Sequence, residues 1–200
     1  MCKTSFSNVI AVTNRALCER PFLEQIHRVC QVHPRAIILR EKDLSQEAYR
    51  ELAGQVATIC QQYQIPCILH FYPEVAEVLG IRNIHLPLWK LREMKGELAR
   101  TPWQRLGCSI HSLEEAIEAQ QLGATYLTAG HIYTTDCKQG VPPRGLAFLQ
   151  EVCDNVQIPV YAIGGIHLDK DSGLPEQRQM DEVTACGAVG ACIMSGMMRM

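Results

Sequence analysis

Short apolar runs alternate with longer segments whose apolar positions recur every three to four residues. The first pattern predicts buried strands and the second amphipathic helices. "NVIAVTN" (8–14) predicts a strand, and residues 20–32, with Phe22, Leu23, Ile26, Val29 and Cys30 at helical spacing, predict the helix behind it. "RAIILRE" is the second strand. A helix over about 45–63 follows, with Ser45 at its N-cap and Leu52, Val56 and Ile59 on one face. "IPCILHF" is the third strand, and Pro73 to Gly80 a short helix closed by glycine. "RNIHLPL" is the fourth strand, and Leu88 to Leu98 is weakly helical. "RLGCSIHS" is the fifth. In "SLEEAIEAQQLG", Ser112 caps the helix, Glu115 holds the capping-box position and Gly123 ends it. "ATYLTAG", "IPVYAIGGI" and "AVGACIMSG" complete the strands, with helices over 143–154 and 176–186 between them.

Eight such alternations predict a parallel sheet, and short successive strands match a closed (β/α)8 TIM barrel. At 200 residues it is a compact single-domain barrel spanning 1–200, with a truncated final helix. A doubly wound open sheet is the alternative, but no GxGxxG follows the first strand. The polar stretch 167–179 reads as a loop.

Composition narrows the classes. A chain 47% hydrophobic and 20% charged, with formal net charge -2 and mixed signs, lacks the basic footprint of a nucleic-acid binder. No apolar run approaches the roughly 18 residues of a membrane span. The N-terminus has no secretory pattern, so a cytoplasmic protein is expected. Ten cysteines occur without a C-x-x-C. They are expected to be reduced, mostly buried thiols, with Cys60, Cys67, Cys108, Cys186 and Cys192 in or beside apolar runs, and no metal site.

The working face of such a barrel lies at the carboxyl ends of its strands. Polar residues gather there: Thr13-Asn14-Arg15, Arg40-Glu41-Lys42, His70, His85, His111-Ser112 and Gly130-His131. Gly164-Gly165 and Ser195-Gly196 follow strands seven and eight, where barrels often bind phosphate. Arg40 and Lys42 could neutralise a phosphate or carboxylate, or form a solvated pair balanced by Glu41 and Asp43. His131 is the leading acid/base candidate, with His70 and His111 secondary. Cys137 lacks an identifiable base. Asp136 is expected to cap or pair with Lys138 within its loop.

"VTNR", "ILREK", "GHIYTTDCKQGVPPRGL", "IPVYAIGGI" and "IMSG" together resemble the thiamine phosphate synthase/TenI family across nearly the whole chain. The resemblance implies a (β/α)8 barrel acting on a small phosphorylated thiazole. The synthase branch joins a pyrimidine methyl diphosphate to the thiazole phosphate and uses Mg²⁺. It carries Asn-Asp-Arg after strand three and "HLGQ-x-D" after strand four. Here those places read His70-Phe71-Tyr72 and "HLPLWK", with Lys90 at the expected aspartate position. The loop "GHIYTTDCKQG" resembles the TenI branch, which includes thiazole tautomerases.

The resemblance therefore implies a thiazole tautomerase with His131 as acid/base. Thr135 and Lys138 would be loop contacts, and Gly164, Gly165, Ser195 and Gly196 phosphate contacts. Arg40 and Lys42 would meet the carboxylate, with no cofactor. The alternatives are a Mg²⁺-dependent thiamine phosphate synthase and a catalytically silent thiazole-phosphate-binding or regulatory barrel. The Met-rich tail "IMSGMMRM" could leave apolar surface for a homodimer.

Overall fold

Strands buried on both faces read as continuous apolar runs, and each run becomes a strand in the computed structural model. It describes residues 6–96, 102–135 and 140–200. The strands are β1 (Val9–Val12), β2 (Ala36–Leu39), β3 (Cys67–His70), β4 (Asn83–Pro87), β5 (Arg105–Ile110), β6 (Tyr126–Gly130), β7 (Val160–Ile163) and β8 (Gly190–Ile193). They close in sequence order into one parallel barrel. The seam is the β1–β8 pair, in register Val9↔Ala191.

Alternation along the strands divides the core. Ile10, Val12, Ala36, Ile38, Ile68, Tyr126, Tyr161 and Cys192 fill the lumen. Their neighbours, such as Val9, Ala11, Ile37 and Leu39, join the cluster that packs beneath the helices.

The helices are α1 (Phe22–Gln31), α2 (Gln46–Gln62), α3 (Pro73–Val78), α4 (Leu88–Glu93), α5 (Leu113–Gln121), α6 (Gly145–Asn155), α7 (Gln177–Ala185) and α8 (Ser195–Arg199). Ser45 caps α2 by accepting from the Ala48 N–H, and Ser112 caps α5 by accepting from the Glu115 N–H. Glu115 departs from a simple capping box. Its carboxylate takes the N–H of His111, one residue before the cap, at 2.6 Å. This ties the end of β5 to the first turn of α5. α4 ends at Glu93 and tightens into a 3-10 turn over Met94–Gly96.

The truncated final helix is present, but its methionines do not lie open. Met197 and Met198 are fully buried. Gln25 Nε2 donates to the Met197 carbonyl at 2.6 Å, and Arg20 donates to the carbonyl of Met200. The tail thus packs within its own chain, which removes the apolar surface on which a homodimer was expected.

The described cysteines are all free thiols. Cys60, Cys67, Cys108 and Cys192 are buried as expected, whereas Cys186 is half-buried. Burial pushes the Cys108 thiol up to about 12, which keeps it protonated and inert. Among the described residues, no helix is long and apolar enough to cross a membrane.

Candidate functional site

The carboxyl ends of the strands surround a cavity of about 490 Å³. That is ample for a small organic ligand. Its wall collects the predicted site residues Arg40, Lys42, His70, His111, His131, Thr135, Gly164, Gly165 and Ser195. Lys138, with Asp136 and Cys137, lies outside the described residues. Gly196 does not line the cavity; a Cβ there would come within 2.8 Å of Leu168 Cγ. Its glycine is explained by packing.

The floor is polar. His85 is buried between Tyr126 and Ser109: Nδ1 lies 2.9 Å from Tyr126 Oη and Nε2 lies 2.8 Å from Ser109 Oγ. Thr128 Oγ1 joins the group, 3.3 Å from Ser109 Oγ. Burial lowers the His85 imidazole to about 3. His70 stacks on His85, with ring centroids 6.2 Å apart. Burial, then the charges of its neighbours, hold it well below the ordinary histidine range. Both rings are neutral at physiological pH.

His111 Nδ1 sits 2.6 Å from the Gly130 carbonyl. A carbonyl only accepts, so Nδ1 carries the proton and Nε2 is left as an acceptor. His131 is held differently. Its Nε2 lies 3.2 Å from the Val141 carbonyl, and its Nδ1 is buried with no hydrogen-bond partner among the described residues. The Arg144 N–H returns to the His131 carbonyl at 2.9 Å. The residue thus anchors the returning loop on the cavity wall.

Gly164 and Gly165 have φ of +98° and +70°, a region that favours glycine. A Cβ at Gly164 would strike His131 Cβ, and one at Gly165 would strike the carbonyl oxygen of Thr134. The loop after β6 lies directly on these two residues. Replacing Gly164 by alanine should therefore displace His131 and cost more than the ordinary ~1 kcal/mol of a glycine-to-alanine misfit. Urea unfolding of Gly164→Ala checks this; a change within error would mean that the contact is slack.

The acids near the basic motif turn to Arg15. Glu41 is buried and accepts from Thr13 Oγ1 at 2.6 Å and from the Arg15 N–H at 3.0 Å. The Arg15 guanidinium pairs with both Glu41 and Asp43. Glu41 and Asp43, the balancing acids of the alternative reading, thus both engage Arg15. Arg40 and Lys42 remain on the cavity wall, where their charges act on His70.

Glu41 is the single carboxylate among the described residues that line the cavity, and both its oxygens are engaged. Mg²⁺ takes oxygen ligands, usually one or two carboxylates besides substrate phosphates. Beyond β3 and β4 stand Phe71, Tyr72, Trp89 and Lys90 instead. Among the described residues no group of three His, Cys, Asp or Glu is placed to hold a metal ion. The residues present do not fit a resident Mg²⁺.

Fold and site together define a (β/α)8 barrel with one basic, glycine-rich cavity at the carboxyl ends of its strands. Residues 9–197 match the TMP-TENI family model, described as thiamine monophosphate synthase, and the chain belongs to that family of enzymes. A thiamine-phosphate synthase of Clostridium acetobutylicum is 29% identical over 203 residues, covering 99% of this chain and 90% of its own. One from Shouchella clausii is 32% identical over 182 residues, covering 88% and 80%. A solved thiamine phosphate pyrophosphorylase from Pyrococcus furiosus superposes with TM-score 0.77 at 26% identity, covering 96% of this chain and 87% of that one. These relatives overturn the expected thiazole tautomerase and favour the synthase alternative. The TenI-like loop was too short a segment to decide the branch. The proton-relay role assigned to His131 loses its basis with that reading.

Proposed function

We propose that the chain is a transferase of the thiamine-phosphate synthase kind, joining a pyrimidine methyl diphosphate to a thiazole phosphate. What supports this is one cavity lined by two groups suited to anions, together with the relatives' names. Gly164, Gly165 and Ser195 stand at β7 and β8, and Arg40 and Lys42 at β2. A carboxylated monophosphate could also span both groups, and the synthase name of the relatives favours the transferase. A transferase that releases diphosphate needs both.

In this reading the glycine backbone and the Ser195 hydroxyl hold the thiazole phosphate. Arg40 and Lys42 hold the diphosphate and neutralise the charge that builds on it as its bond to the methylene carbon breaks. The ring nitrogen of the thiazole supplies the electron pair for the new bond, and diphosphate leaves with the pair of the old one. Neutral His70 and His85 give an uncharged floor for the heteroaromatic rings. His111 Nε2 offers an acceptor to a ring amino group, Thr135 closes the side wall, and His131 keeps the loop in place.

The test is formation of thiamine phosphate from the two precursors by the purified protein. Arg40→Ala should lower kcat/KM by roughly 10- to 100-fold, the loss of one charge-assisted contact. No product from the wild type, with or without magnesium, would overturn the proposal.

A further inference from the structure

The mouth replaces metal-binding acids by cations and aromatic rings, and this bears on how a diphosphate is held. Phe71 lines the cavity and takes φ +76°, uncommon for a bulky residue. Such backbone persists where surrounding contacts enforce it, and it clusters at ligand sites. Here the contacts are aromatic. Phe71 packs edge-on against Trp89 with centroids 5.6 Å apart, and stacks with His70 at 6.3 Å.

Lys90 Nζ lies 5.9 Å from the centroid of the Phe71 ring. Its side chain is 23% exposed, and it pairs at 3.4 Å with Glu93, whose side chain is 60% exposed. The charges of Arg40 and Lys42 also act on His70. Positive charge thus lies near the His70–Phe71 pair from Arg40 and Lys42 on the cavity wall and from Lys90 over the Phe71 ring. Glu41, the one carboxylate among the described residues on the cavity wall, is committed to Thr13 and Arg15.

From this arrangement we infer that Arg40, Lys42 and Lys90 bind the diphosphate group directly, as side-chain cations, with no divalent ion between protein and ligand. The inference rests on the transferase reading for the identity of the ligand, but its site can be probed alone. Three fixed ammonium or guanidinium groups supply the charge that a metal would otherwise bring. The aromatic shelf of Phe71 and Trp89 limits hydration of Lys90 and so strengthens its pull on an anion.

Calorimetric titration with inorganic pyrophosphate at constant ionic strength tests it. Binding in EDTA should be as tight as binding with magnesium, or tighter, because free magnesium competes for the ligand. Arg40→Ala and Lys90→Ala should each weaken it about tenfold. Lys90→Asp should abolish binding in EDTA. Tightening of tenfold or more by magnesium would overturn the inference, as would binding that ignores Arg40 and Lys90.

The two proposals fail separately. Metal-free pyrophosphate binding with no transfer of the pyrimidine removes the transferase reading alone. Transfer accompanied by magnesium-dependent pyrophosphate binding removes the metal-free site alone.

Discussion

Urea unfolding at pH 5 should show the protein about 2 kcal/mol less stable than at pH 7.5 through His85 alone. Burial lowers that imidazole to about 3 in the folded state. In the unfolded chain it titrates near ~6.5. Between these values the unfolded state binds the extra proton, so stability rises with pH. The contribution is full above the unfolded value and is lost as pH falls through the window toward 3. At pH 5 the unfolded group is about 1.5 pH units into protonation, at ~1.36 kcal/mol each.

His70, shifted in the same direction, adds to the slope. The depressed carboxyls of Asp43, Glu118 and Glu182 act in the same sense but over a lower pH range. Their contribution is present above the ordinary carboxylate value and lost only as pH falls below it. His85→Gln should flatten the slope between pH 7.5 and 5 even if it lowers stability throughout. A flat wild-type profile would mean that His85 is solvated, and the polar floor would need another account.

The second large effect is expected at Glu41. Glu41→Ala should cost about 2–3 kcal/mol and lower Tm by roughly 5–10 °C. The truncation strands the Thr13 hydroxyl and the Arg15 N–H beyond the end of β1. Breaking a fully buried pair costs ~3–5 kcal/mol. The Arg15 side chain is 33% exposed, so water recovers part of this. Asp43→Ala, at the 67% exposed partner of the same arginine, should change stability by less than ~1 kcal/mol. Thermal unfolding of the two variants side by side decides the matter: equal shifts would show that the buried carboxylate is no keystone. Activity should fall with Glu41→Ala as well, because Arg40 follows directly on the Thr13–Glu41 link and its N–H donates to Thr13 Oγ1 at 2.9 Å.

The family was legible from motifs spread along the chain, and the branch within it was not. "GHIYTTDCKQG" weighs heavily by eye, yet relatives that cover most of the chain at 29% and 32% identity carry the synthase name. A loop motif reports a few contacts, whereas identity along the barrel reports the whole cavity. At the positions of Phe71 and Lys90 the sequence departs from the metal-binding pattern, and among the described residues Glu41 is the one carboxylate on the cavity wall.

What the sequence by itself determined is whatever depends on neighbours within a few residues. Two-residue alternation, helical spacing, Ser45 and Ser112 as caps, and polar residues at the carboxyl end of each run sufficed for the barrel, its strand order and its working face. Only the tertiary structure decided which distant groups meet. Thr13 and Glu41 are 28 positions apart, His85 and Tyr126 are 41, and Gln25 and Met197 are 172. The register of parallel strands and the burial of each pair set those contacts. They made Glu41 a buried anchor and folded the methionine tail into the core.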